Sequence, residues 1–466
     1  MRISRATPLL LVSLWACGGQ QSRPPNTGLA EELSPQASPT TGSAKKKDKD
    51  DPLFPANKTG WSEMGADETK QAAAFAADYL AFVSNRTERQ SASAVLALAK
   101  EAGAKPFDQR PSHKPGELLY WQDAAHSSVA LLKIGNAPIE EGVQIIIASL
   151  DAAVIRLTPN PVYDKSGLAL FDTGILGDLK LESWLNTPLM LAIHIAPSAS
   201  GGKAREITIG DDADEPVFAI PDLLPHLSRK VQRDKLVDSP ERLDALAGFS
   251  SKAVASLLKR YGLGKNDWNR AEAELLAAGP ASYVGVDRAL IAAANHHARA
   301  LPFAATRALL ESQPRRSSLV ILMGHSSRSY AGAGPEAHVE NLLPAAIAMH
   351  QSKVDALTLR RIHAQSAVLL FDNKSGDRNK GVVLNTRKDD STPESLRHVL
   401  QVFSEGKAHT QIVEEGGWSE AREIASLDID ALEMGLPIKG YGTPYQLLST
   451  YDLYQALRAC QAWMGQ

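Results

Sequence analysis

The apolar positions of this chain change rhythm along its length, and each rhythm predicts an element. From Asp67 onward Ala73, Phe75, Tyr79, Leu80 and Phe82 recur at spacings of two to four, as a buried helix face requires. A second helix is expected over about 92–102, ending at Gly103. Strand-like runs follow at Glu117–Trp121, Ser128–Ile134 and Gly142–Leu150. The last of these, through Val143-Gln144-Ile145-Ile146-Ile147-Ala148, is the short continuous apolar run of a strand covered on both faces. Between about Ala152 and Gly279 the texture changes. Strand segments there are separated by turn chemistry at Thr158-Pro159-Asn160-Pro161, Asp172-Thr173-Gly174 and Ser198–Gly202, with clear alternation over Leu189–Ile195. After Pro216-Val217-Phe218-Ala219-Ile220-Pro221 a helix is expected through His226, then a polar connector. From about Ala281 helix and strand patterns alternate again. Arg316–Met323 and Ala367–Phe371 read as buried strands, and Thr450–Met464 as an amphipathic helix. Alternation at both ends predicts an α/β sandwich, with the strand-rich middle inserted as a second domain.

Composition narrows the function classes. The chain has 466 residues, enough for about two to four domains with a full core. Its net charge of −3 and the lack of a basic stripe with interleaved aromatics disfavour nucleic acid as a partner. A hydrophobic share of 44% with 22% charged residues is that of an ordinary globular protein.

The N-terminus adds an address. Arg2 and Arg5 precede Pro8-Leu9-Leu10-Leu11-Val12-Ser13-Leu14, an apolar run about half the length that spans a bilayer. This is the layout of a signal peptide rather than a transmembrane helix. It ends in Leu14-Trp15-Ala16-Cys17-Gly18, which resembles the lipobox of bacterial lipoproteins and predicts lipidation of Cys17. A plain secretory signal is the alternative. The cysteine count favours the lipobox, because the only other cysteine is Cys460 and lipidation of Cys17 leaves no disulfide to form. Residues 18–60 are rich in Pro, Ser, Thr, Gln and charge, including Lys45-Lys46-Lys47-Asp48-Lys49-Asp50-Asp51, and are expected to be a disordered linker. The expected location is therefore the periplasmic or outer-membrane face of a bacterial membrane, with the lipid as the only membrane contact.

An ordered string of segments carries a family likeness. It runs through Gly142–Asp151, Ile155–Tyr163, Gly167–Phe171, Ile207–Asp212 and Pro216–Leu227. It continues through Ala277–Ala281, Gly285-Val286-Asp287-Arg288, Leu359-Arg360-Arg361, Gly435-Leu436-Pro437 and Tyr451-Asp452-Leu453-Tyr454. Over about residues 70–464 the chain resembles the aspartyl aminopeptidases, a family of di-zinc exopeptidases. The resemblance implies a three-layer α/β/α sandwich from residues 61–151 and 281–466. It also implies an inserted β-rich dimerisation domain over 152–280, and oligomers that trim peptide N-termini.

The resemblance further implies a ligand set, and most of it is missing. The family's first histidine ligand falls on Ser149, although its supporting aspartate is kept as Asp151. The bridging aspartate falls on His297, and the adjacent catalytic and ligand glutamates fall on Ser326 and Ser327. The next ligand aspartate is kept as Asp372, whereas the last histidine falls on Gly442. Serine hydroxyls are poor zinc ligands and glycine offers no side chain. Zinc is the cofactor of the parent family, but no cofactor is expected of this chain. Whether it is an enzyme stays open. One reading is an aminopeptidase-like lipoprotein acting as a scaffold or a binder of peptides or small ligands, self-associating through the inserted domain. The other is an active aminopeptidase with a zinc site rebuilt from His297, His325 and Asp372. Neighbouring His296 and His297 point about 100° apart on a helix, which works against their sharing one metal. Gly324-His325-Ser326-Ser327-Arg328 lacks the Gly-x-Ser-x-Gly elbow of a serine hydrolase, and Ala331-Gly332-Ala333-Gly334 is no phosphate loop. Glu414-Glu415-Gly416-Gly417 matches a glycine-rich turn of the family and is read as structural.

Overall fold

The computed structural model describes residues 60–466 apart from 108–112, 199–200, 202, 223–243, 265, 325–333, 351–354, 373–374, 387–391 and 415–419. Its first strands are β1 (Lys105–Pro106), β2 (Leu118–Gln122), β3 (Val129–Lys133) and β4 (Gln144–Ser149). Next come β5 (Val154–Lys165), β6 (Leu168–Leu176), β7 (Leu189–Ile195), β8 (Arg205–Ile209), β9 (Ala245–Gly248) and β10 (Ala271–Ala277). The chain then forms β11 (Ser282–Val284), β12 (Leu290–Ala293), β13 (Ser318–Met323), β14 (Ala367–Phe371) and β15 (Val382–Asn385). The last strands are β16 (Thr410–Val413), β17 (Asp430–Gly435) and β18 (Gln446–Ser449).

Nine strands form one sheet in the order β1-β2-β3-β13-β4-β14-β17-β15-β16. Successive side chains of a strand face opposite ways, so a strand buried on both faces feeds two cores. In β4, Ile146 and Ala148 join one core with the helices Ala66–Phe82, Ala300–Glu311 and Thr450–Met464. Ile145 and Ile147 join the opposite core with the helix Pro335–Ala348. This is the three-layer α/β/α sandwich expected from the sequence. Six antiparallel strands form a second sheet, β8-β7-β10-β5-β6-β9, drawn wholly from residues 154–277, with its own core around Phe171, Leu191 and Leu275. A small third sheet, β11-β12-β18, contributes Ile291, Ala293 and Leu448 to the first of these cores.

Some expectations need correction. The helix expected from 92 starts at Glu88, because Thr87 and Gln90 close a capping box one turn earlier. Thr158–Pro161 and Asp172–Gly174 are not turns but lie inside β5 and β6. The two prolines, which have no N–H to donate, fall where the register shifts between Leu157 and Val162, so the ladder loses little. Thr158 Oγ1 donates to Asp172 2.8 Å away, tying the two segments together. The helix expected through His226 lies outside the described residues.

Strands β13, β4, β14 and β17 are parallel neighbours, with Met323 opposite Ser149 and Phe371 opposite both Ala148 and Met434. Their carboxyl ends therefore share one edge, where ligands of open α/β sheets bind.

Candidate functional site

Ser149 closes β4, and its Oγ accepts the N–H of Asp151 at 3.1 Å. Asp151 is buried beside the Arg299 guanidinium, which is itself 1% exposed. Burial pulls Arg299 down to about 10, and Tyr79, Glu88, Asp151 and Glu274 oppose that fall. Its N–H groups donate to the carbonyls of Leu150 (2.5 Å), Ala298 (2.7 Å), Arg86 (2.8 Å) and Asn85 (3.1 Å). A buried cation with its donors satisfied in this way pins the Asp151 segment from behind.

Two residues before Arg299 stands His297, on the short 3-10 turn His296–Ala298. The two histidines diverge as expected. His296 is fully buried, with Nδ1 2.7 Å from the Tyr79 hydroxyl and Nε2 3.0 Å from the Ile291 carbonyl. His297 is half-buried, with Nδ1 3.0 Å from the Gln446 side-chain nitrogen. The Tyr441 ring meets its imidazole edge-on at 4.9 Å between centroids. Burial lowers both imidazoles to about 4, so both are neutral at pH 7.

Tyr441 precedes Gly442, the position that the resemblance assigns to the family's last histidine. Gly442 follows with φ +72°, and its carbonyl accepts both the Lys180 N–H and the Trp184 indole N–H at 2.9 Å. A Cβ at position 442 would lie 2.8 Å from the Asp178 carbonyl oxygen and 3.0 Å from the Lys180 nitrogen. The loop is therefore clasped against the segment before β7 and has no room for a ligand side chain at this point.

Asp372 follows β14, exposed, with its N–H on the Met434 carbonyl at 3.0 Å. Asp372 is one of several carboxylates gathered around Glu420. Burial first, then Asp372, Glu423, Glu433 and Glu336, push Glu420 up to about 7. Burial, Asp178 and Asp372 raise the Tyr441 phenol, so it keeps its proton. The fold thus brings Ser149, Asp151, His297, Asp372 and Gly442 to one edge of the sheet. His325, Ser326 and Ser327 lie outside the described residues, as does most of the turn after Glu414. Gln446, Glu420 and Arg299 had no sequence signal of their own: each acts through partners brought in from distant segments.

Comparison with known proteins decides the family. The model of the aminopeptidase I zinc metalloprotease family (M18) matches residues 82–325, more than half of the chain. The chain belongs to the M18 aminopeptidase family. A probable M18 family aminopeptidase 1 from Borreliella burgdorferi is 26% identical over 86% of this chain and 98% of that relative. A probable M18 family aminopeptidase 1 from Thermotoga maritima is 25% identical over 84% of this chain and 95% of that relative. In fold, this M18 chain is similar to the crystal structure of an M18 family aminopeptidase from Thermotoga maritima. The TM-score is 0.80 at 24% identity, covering 88% of this chain and 99% of that one.

Membership corrects the expectation that no cofactor is involved: the family is one of zinc metalloproteases, so zinc is the cofactor against which this site is read. A two-zinc centre needs convergent imidazole and carboxylate donors. Among the described residues no three His, Cys, Asp or Glu side chains converge as a metal site. His297 is engaged by Gln446 and Tyr441, and position 442 is closed by backbone. The described residues do not fit the two-zinc centre that the resemblance implies.

Proposed function

We propose that this chain is an exported, lipid-anchored M18 protein whose cleft binds peptide N-termini without hydrolysing them by the family's two-metal route. The observation that carries this reading is the closure of the ligand loop. Gly442 is clamped through its carbonyl by Lys180 and Trp184, and Tyr441 packs on the imidazole at the bridging position. Hydrolysis by that route needs a general base beside two metals. The described residues offer instead carboxylates gathered around Glu420, Asp372 among them. Such a cluster attracts a cationic group, and the α-amino group of a peptide is one. Fluorescence anisotropy of a labelled peptide with a free N-terminus tests the reading. Saturable binding, lost when the same peptide is N-acetylated, is expected; equal binding of both forms sinks it.

The anchor rests on the leader and on Cys17. Incorporation of a fatty-acid probe that survives in Cys17→Ser would exclude it. The second sheet, within residues 152–280, is proposed as the self-association domain. Phe249, next to its edge strand β9, is 85% exposed. One structure of similar fold is the dodecamer of S. cerevisiae mApe1, at a TM-score of 0.67.

A further inference from the structure

Beyond the cleft, the large sheet ends in β15 and β16. Strand β15 runs antiparallel to β17, with Val383 opposite Gly435, so the start of β15 lies on the cleft edge of the sheet. There a cavity of about 730 Å³ opens among Arg378, Lys380, Lys407, His409 and Tyr451, with Glu63 as the one carboxylate lining it among the described residues.

Three features build this wall from buried parts. Asp452, fully buried, accepts the N–H groups of Asn379 and Gly381 at 2.8 Å each, which fixes the loop carrying Arg378 and Lys380. Gly381 has φ +91°, and a Cβ there would lie 1.9 Å from the His409 carbonyl oxygen, so this loop and the 407–409 segment are pressed together as only glycine allows. The Tyr451 hydroxyl bonds His409 Nδ1. Burial, then Asp452 and other carboxylates, raises the Tyr451 phenol, so it keeps its proton and donates, leaving His409 Nε2 as an N–H donor. Lys380 is paired with Asp377, whereas Arg378 and Lys407 have no ion-pair partner among the described residues.

We propose that this cavity binds a ligand through a phosphate group. Two cations without an ion-pair partner among the described residues and an imidazole N–H match the charge and acceptors of a phosphate monoester, and a guanidinium suits its paired oxygens. The cavity is too large for a bare anion, so the ligand carries a further polar body. The source is either a soluble phosphate ester or a phospholipid headgroup.

Glycerol 3-phosphate titrated calorimetrically into the full-length chain in neutral detergent tests the site. Saturable binding is expected, weakened at least ten-fold in Arg378→Gln/Lys407→Gln at an unchanged melting temperature. Should that double variant fail to fold, Glu63→Gln removes a carboxylate from the cavity wall and is expected to tighten binding. Phosphatidic acid, whose headgroup is a phosphate monoester, abolishes the signal when placed in the micelles if a headgroup is the natural source and leaves it intact if a soluble ester is. No saturable heat with either phosphate form, or heat unchanged in both variants, overturns the proposal. The outcome is independent of whether the cleft binds or cleaves peptides.

Discussion

Gly442 permits the sharpest test of the proposal that the loop around it is closed to a metal ligand. Replacing it with alanine adds one Cβ to a backbone at φ +72°, where an L-residue loses about 1–2 kcal/mol. That Cβ would sit 2.8 Å from the Asp178 carbonyl oxygen, so one backbone segment must move. Movement loosens the bonds from the Lys180 N–H and the Trp184 indole to the Gly442 carbonyl, each 2.9 Å. Each such bond contributes about 0.5–1.5 kcal/mol, and the Trp184 donor is buried, where losing its acceptor costs at the upper end. Together these give about 2–4 kcal/mol for Gly442→Ala, and more for Gly442→His, which also needs space for a ring. Urea unfolding of the two variants measures the loss, and hydrogen exchange over residues 178–184 locates it. An unchanged midpoint with unchanged exchange in Gly442→Ala would refute the clamp. A stable Gly442→His variant that gains zinc affinity would refute the claim that this ligand cannot be restored by one substitution.

Two further outcomes follow from the same geometry. His296 is held near pKa 4, below its ordinary 6.5, so its contribution to stability is present above about pH 6.5 and lost as pH falls toward 4. Glu420 and Asp452, held up near 7, act in the opposite sense over that interval, so the effect is read as the difference in pH profile between the wild-type chain and His296→Asn. A difference that stays flat from pH 7 to 4.5 contradicts it. For assembly, sedimentation at micromolar concentration is expected to give at least a dimer, and Phe249→Asp is expected to weaken it. A monomeric wild-type chain would exclude self-association through the second sheet.

How much of this was legible in the sequence differs between fold and site. Strands β7 and β14 and the helix Thr450–Met464 fall at the residues that their apolar runs predict. In each case a continuous or alternating apolar stretch meets a polar boundary. Prolines and Asp-Thr-Gly read as turns in β5 and β6 because their local chemistry is that of turns; a register shift and a side-chain bond between strands absorb it. Thr87-Glu88-Arg89-Gln90 spells a capping box, which sets the helix start one turn before the apolar position from which its face is counted. At the site, the edge holding Ser149, Asp151 and Asp372 was reached through the family likeness and not through periodicity. The packing of Tyr441 on His297, the Gln446 bond and the carboxylates around Glu420 join residues up to 149 positions apart, and only the fold brings them together.

The most direct measurement is turnover of aminoacyl substrates, acidic and neutral, by the full-length chain supplied with zinc, with bound zinc counted on the same sample. The account predicts no hydrolysis above background at any zinc content reached, on a chain that still binds peptides with free N-termini. Turnover that rises in proportion to bound zinc and disappears in His297→Ala would contradict it, and would make that imidazole a metal ligand.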